Sequence, residues 1–369
     1  MGGNNITEIQ RLRGIAVLLV LTVHILYFQA LLPQFLWLNG RVGVDLFFVI
    51  SGYVVTLSLL RHDVTHLADV FQFYRRRFFR LAPTGVIWAL VHLALATIAT
   101  AYFPIGNYLP TPAAAWSALL RILRLTYNYE LATASGGLTH YWSLMVEWHF
   151  YLALPLILLL FRGRWRLPVI SALVAAFAVS CDFLPTPDGY FKTQTRVVEI
   201  GLGVLLALLS RPQAAPTRAP LALRAIVGPA LVLVLWCSPT LFHGNIADGG
   251  PQIIVYGLLG ALIVWLAALR RDLIFGVPVI APFLEWIGGI SYSLYVCHFT
   301  LWAATQAILA TEAITINPLV GLPLQLTLTF GIATMLNRLI ERPGTQLGAR
   351  HLGIDSKFAF RAQAIEIRD

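Results

Sequence analysis

Residues 8–25 read EIQRLRGIAVLLVLTVHI, two arginines followed by an apolar run that encloses one histidine. On a helix, Arg13 and His24 lie eleven residues apart, which places them on one face and ~16 Å apart along the axis. One end of this helix can meet anions in water while its middle holds a titratable imidazole. A histidine on an apolar helix reads first as a hydrogen-bonded packing residue. Inside a bilayer, however, an ionisable side chain is costly and marks a functional position.

The rest of the chain decides whether this helix is in a bilayer. Of 369 residues, 58% are hydrophobic and only 12% charged, with a mean hydropathy of +0.75. Soluble domains carry about 25% charged residues, so the composition is that of an all-α, polytopic membrane protein. A net charge of +9 does not indicate nucleic acid, because the basic residues sit in short clusters between apolar segments. Cys181, Cys237 and Cys297 are odd in number and lack paired metal spacing, so neither a disulfide framework nor a metal site is expected. The first apolar segment carries His24 and lacks a small-residue cleavage site, which predicts a retained span rather than a signal peptide.

Taking roughly 17 to 25 apolar residues per span, ten spans are expected, near 14–32, 42–60, 81–103, 142–161, 168–185, 196–210, 221–238, 252–269, 287–310 and 317–340. An even number puts both termini on one side. With this count, Arg41, Arg121, Arg124, Lys192 and Arg196 are alone among the 26 basic residues in facing outward, so both termini are predicted to be cytoplasmic. Asp63 should then be cytoplasmic, and Asn107 and Asp248 should face outward. The loop 104–141 contains AWSALLRILRLTY, whose apolar residues 116, 119, 120, 123 and 126 predict a short interfacial helix. Residues 1–342 are read as one transmembrane domain, and 343–369 as a short cytoplasmic tail.

This topology sets depth. His24 falls near mid-membrane, since half of a ~30 Å hydrocarbon core is ~15 Å. Spans entering from outside carry acids: Asp45 in GVDLFFVISGY, Glu147 in HYWSLMVEWHFYLALP and Glu199 in RVVEIGLG. Asp45 and Glu199 also read as interfacial caps. Glu147 lies ~10 Å deep by helix rise and shares a face with His140 and Tyr151. On the cytoplasmic side, FYRRRFFRLAP sets Arg77 and Arg80 side by side on a helical turn. Their planar forks suit phosphate, while the competing reading is a positive-inside cluster touching anionic lipid. In EWIGGISYSLYVCHF, Tyr292, Tyr295 and His298 share a face, serving either catalysis or helix packing.

Seven segments in order resemble the bacterial acyltransferase-3 family: Arg13 with His24, GVDLFFVISGY (43–53), FYRRRFFRLAP (73–83), WSLMVEWHFYLALP (142–155), RVVEIGLG (196–203), GGISYSLYVCH (288–298) and LIERP (339–343). The resemblance implies an integral-membrane O-acyltransferase of surface glycans and some antibiotics, with ten helices and acyl-CoA as cytoplasmic donor. It implies that His24 and Arg13 are the critical pair, and that Arg77 and Arg80 form the family's Arg-x-x-Arg element. Two departures stand out: Asn337 replaces an expected aromatic before LIERP, and the SGNH-type esterase domain of some members is not in this sequence.

Acyl transfer needs a base for the acceptor hydroxyl and stabilisation of the oxyanion. The expected arrangement puts the phosphates of the donor, acetyl-CoA, on Arg13, Arg77 and Arg80, with its pantetheine arm reaching toward His24. The acceptor, a glycan or lipid-linked saccharide, would enter from outside among Asp45, Glu147, Glu199, Tyr141, Trp142 and His298. Asp45 and Glu147 join His24 and Arg13 as catalytic candidates. A bacterial inner (cytoplasmic) membrane location, lipid contact and polysaccharide-assembly partners follow from the same reading. A transporter or flippase for glycans, and a structural subunit of an export complex, are the competing classes. Neither gives a reason for a phosphate-matching arginine pair on one side.

Overall fold

The computed structural model describes residues 7–28, 41–61, 64–102, 108–130, 137–183, 189–210, 218–241, 251–311 and 317–350. Asp63, Asn107, Asp248 and the tail beyond 350 lie outside the described residues, as does the side chain of Cys181. Among the described residues every regular element is helical: α1 (Thr7–Phe28), α2 (Val42–Arg61), α3 (Leu67–Tyr102), α4 (Pro112–Leu123), α5 (Tyr141–Leu160), α6 (Arg166–Phe183), α7 (Thr193–Leu209), α8 (Leu221–Leu241), α9 (Pro251–Ala268), α10 (Ile280–Thr311), α11 (Pro318–Leu336) and α12 (Arg342–Arg350). Each apolar segment singled out in the sequence overlaps one of these helices. Six stretches are long and apolar enough to cross a membrane: Thr7–Phe28, Val42–Arg61, Leu67–Tyr102, Tyr141–Leu160, Leu221–Ser238 and Val320–Ala349. The chain is a helical membrane protein.

Burial separates centre from periphery. In α2, 72% of the apolar stretch is buried, against 22% in α8, so α2 is central and α8 faces outward. Two close crossings hold the centre together. Side chains added at Gly52 of α2 and Gly203 of α7 would each collide with a backbone carbonyl of the opposite helix, at Ile200 and Val49. The same reciprocal fit joins α1 and α10, where Gly14 meets the Leu284 carbonyl and Gly288 meets that of Gln10. Small residues let backbones approach where hydrophobic burial cannot drive association, because lipid is as apolar as the helix surface. These two crossings carry the polar residues described below.

Three elements differ from expectation. The basic segment 73–80, expected between spans, lies inside α3, a continuous 36-residue helix that runs through Pro83. Arg77 and Arg80 are therefore fixed on the same rod as the apolar stretch that follows. Helix α4 forms where predicted, capped by the Thr111 hydroxyl, which accepts from the Ala114 amide at 3.3 Å. Its buried face is Ala115, Ala118, Leu119 and Ile122, leaving Trp116 and Leu123 exposed. That rotation from the expected stripe arises because small alanines let α4 lie close against α3. The third concerns Asn337, which opens a π-helical segment, Asn337–Glu341, between α11 and α12. Its amide donates to Glu341 Oε2 at 2.9 Å and its carbonyl accepts from Arg342 Nε at 2.9 Å. A buried amide thus fixes a polar junction where an aromatic was expected.

Candidate active site

At the α1–α10 crossing, His24 Nδ1 lies 2.8 Å from His298 Nε2. His298 is fully sealed, and its Nδ1 is 2.7 Å from the Tyr295 carbonyl and 3.2 Å from that of Leu294. His24 is half-buried, with Phe299 edge-on to its ring at 4.8 Å. A third histidine, His140, occupies the position before α5; its ring stands 4.8 Å from that of His298 between centroids, with Nε2 3.1 Å from the Val296 carbonyl. The central histidine expected from the sequence is therefore one member of a cluster. His298, which the sequence left between packing and catalysis, is its direct partner.

Toward the start of α1 the two arginines diverge. Arg11 is buried and committed to structure: it pairs with Glu285 Oε1 at 2.8 Å and Asp272 Oδ1 at 3.0 Å, beside a Glu8 carboxylate that accepts from the Asp272 and Ile274 amides at 2.9 Å. Arg13 is half-buried and lies with Arg77 within electrostatic reach of Glu147. Glu147 accepts from the Ser51 hydroxyl at 2.7 Å and from the Tyr151 phenol at 2.9 Å. The Arg77 guanidinium stands over the rings of Tyr151 and Phe73 at 5.4 and 5.5 Å, a geometry that orients a planar cation. The Tyr292 phenol donates to the carbonyl of Leu81, the residue after Arg80, at 2.7 Å. Glu147 thus belongs with the arginines, and among the described residues no hydrogen bond joins it to His24.

The remaining acids form a separate, sealed group. Arg196 Nη2 donates to Asp45 Oδ1 at 2.6 Å and Nη1 to Glu199 Oε1 at 3.3 Å, with all three side chains at 0–1% exposure. The guanidinium also packs on the rings of Tyr190, Trp142 and Phe48 at 4.1, 5.3 and 5.4 Å. Burial raises the Tyr190 phenol well above its ordinary value, keeping it neutral beside the cation. Tyr141 is enclosed as well, donating to the Gly85 carbonyl at 3.0 Å. Asp45, Glu199, Tyr141 and Trp142, all placed by sequence at the acceptor's entry, are enclosed here, and Asp45 and Glu199 have Arg196 as their shared partner. Sequence reasoning missed Arg196 as an ion-pair centre; its i, i+3 spacing from Glu199 in RVVEIGLG was the available signal.

Among the described residues no group of three or more His, Cys, Asp or Glu could hold a metal ion. Cys297 is buried and forms no disulfide among the described residues.

A helical membrane bundle with an imidazole pair on one side of a cluster of half-buried arginines has the parts of a group-transfer site. Residues 6–338 match the family of the acyltransferase domain, and the chain belongs to this acyltransferase-3 family. Similar proteins include one named "Putative O-acetyltransferase SAR0937" from Staphylococcus aureus (strain MRSA252), 28% identical over 94% of this chain and 58% of its own length. Another is "Peptidoglycan O-acetyltransferase OatA" of Listeria monocytogenes, 26% identical over 92% of this chain and 55% of its own. A third, from Bacillus subtilis, is named "Putative peptidoglycan O-acetyltransferase YrhL" and is 27% identical over 92% of this chain and 55% of its own. The chain thus spans little more than half the length of these relatives. No solved structure matches it.

Proposed function

We propose that this protein is a multi-pass O-acetyltransferase of the bacterial inner membrane. It would move an acetyl group from cytoplasmic acetyl-CoA to a hydroxyl of a cell-surface or lipid-linked glycan on the outer side. The observation that carries the reading is the pairing of His24, on the helix that also bears Arg13, with His298 of α10. The family match favours a transferase over a transporter or flippase.

In this reading Arg13, Arg77 and Arg80 receive the donor's phosphates. The pantetheine arm then follows α1 for ~16 Å to His24. His24 removes the acceptor's hydroxyl proton, the oxygen attacks the thioester carbonyl, and the carbon–sulfur bond breaks. The imidazolium returns the proton to the leaving thiolate, so the base is restored. Glu147, held by Ser51 and Tyr151 beside Arg77, positions the arginine end of the site. Asp45, Glu199 and Arg196 hold α2 to α7 and fix Trp142 and Tyr190 as an aromatic wall on the acceptor side. Residues 1–342 form the transferase domain in this reading, with 343–369 as its cytoplasmic tail, and polysaccharide-assembly proteins supply its acceptor.

The arginine assignment separates donor binding from topology. Arg77→Ala and Arg80→Ala should raise KM for acetyl-CoA at least ~10-fold, and Lys at either position should restore only part of the loss. Lysine keeps the charge without the bidentate fork. Coenzyme A should protect the wild type against heat, because a ligand of the folded state stabilises it by mass action, and this protection should shrink in both Ala variants. If Lys substitutes fully at both positions, the arginines serve topology alone.

The ten-span arrangement with cytoplasmic termini is testable by impermeant thiol labelling. Cysteines at 107 and 248, on a background lacking the three native ones, should label in intact cells, and a cysteine at 63 should not. Labelling of position 63 from outside would overturn the arrangement.

A further inference from the structure

The hydrogen bonds around His298 have a direction. A backbone carbonyl can only accept, so the nitrogen facing the Tyr295 and Leu294 carbonyls, His298 Nδ1, must carry hydrogen. If His298 is neutral, its Nε2 then holds a lone pair. The atom 2.8 Å from that lone pair, His24 Nδ1, must in turn be the donor. The chain of bonds therefore leaves His24 with its hydrogen on Nδ1 and a lone pair on Nε2. Reversing it would require His298 to bear hydrogen on both nitrogens, a cation at 0% exposure, and burying an unpaired charge is strongly unfavourable. His140 does not compete for this role: its Nε2 faces the Val296 carbonyl, and its contact with His298 is ring against ring.

We propose that His298 is a positioning residue that fixes the tautomer of His24, so that Nε2 of His24 is the atom that takes the acceptor's proton. This rests on the reading of His24 as the base. During transfer the acceptor O–H bond breaks and its proton moves to His24 Nε2. The ester C–O bond forms, the thioester C–S bond breaks, and the proton passes from Nε2 to the thiolate. Throughout, His24 Nδ1–H stays bonded to His298 Nε2, which stabilises the transient imidazolium without itself gaining a proton. A neutral imidazole backed by two carbonyls thus does the orienting that a carboxylate performs in hydrolase triads.

The test uses the full chain expressed in cells lacking it, with ester-linked acetate released from their envelopes by mild alkali as the readout. Three replacements of His298 separate acceptor chemistry from packing. In His298→Gln the amide oxygen reaches the place of Nε2 and can accept from His24. In His298→Asn it falls one methylene short, and in His298→Leu there is no acceptor. Gln should keep at least ~10% of wild-type ester formation, whereas Asn and Leu should fall ~10²–10⁴-fold at equal membrane levels of protein. The double variant His24→Ala/His298→Leu should be no lower than His24→Ala alone. If the Leu variant does not accumulate folded, Gln against Asn decides. Equal activity of Gln and Asn, or of all three replacements and wild type while His24→Ala is inactive, overturns the relay and leaves the base reading standing. An active His24→Ala removes the base reading itself.

Discussion

His24→Ala should lower acetyl transfer by ~10²–10⁴-fold, the usual contribution of a general base, while the protein still inserts and folds. The local geometry supports both halves of this expectation. His24 is half-buried at the end of α1's buried stripe, so shortening it removes little packing. Among the described residues its imidazole makes one side-chain hydrogen bond, to His298, and His298 keeps its Nδ1 bonds to the carbonyls of Leu294 and Tyr295 when His24 is gone. His298 Nε2 loses its donor, which for a buried acceptor costs about 1–3 kcal/mol, so the variant should be somewhat less stable but still folded. The check is ester-linked acetate in cell envelopes beside the amount of folded protein recovered from membranes. Near-wild-type acetate would remove His24 from the chemistry.

Arg196→Ala should act in the opposite way, through stability. It leaves Asp45 and Glu199 facing one another at 0–1% exposure without their common cation. Removing one partner of a buried ion pair typically costs about 3–5 kcal/mol, because the remaining charge is uncompensated. Three aromatic rings also lose the cation they pack on. The folded yield should collapse, and any residual protein should melt well below the wild type. Removing charge from all three members, as Asp45→Asn, Arg196→Met and Glu199→Gln together, should recover much of the loss, since no unpaired charge then remains. If Arg196→Ala folds and melts like the wild type, the group is not a fastener between α2 and α7.

Much of the site was legible because helical spacing is local. Arg13 and His24 share a face by arithmetic alone, and Tyr151 one turn beyond Glu147 does bond its carboxylate. What the sequence could not supply was which helices touch. Its position along its own helix reads Glu147 as outer-half, yet α5 packs so that it accepts from Ser51 of α2 and lies within electrostatic reach of Arg13 and Arg77. His24 and His298 are separated by 274 positions, and no spacing rule reports a pairing across that distance. Arg196 was read as one more outward-facing charge because charge counting gives the side of the membrane, not the partner. Arg11 and Arg13 looked equivalent until Glu285 and Asp272 claimed the first.

The central claim is transfer through the membrane at His24, from a donor on the arginine side to an acceptor on the other. Inside-out membrane vesicles expose their cytoplasmic face, so acetyl-CoA labelled in its acetyl group can be supplied to that face alone. With wild-type protein, alkali-labile label should accumulate on glycan enclosed within the sealed vesicles, and with His24→Ala it should not. Label that appears equally with the His24→Ala protein, or only on glycan outside the vesicles, would contradict the account.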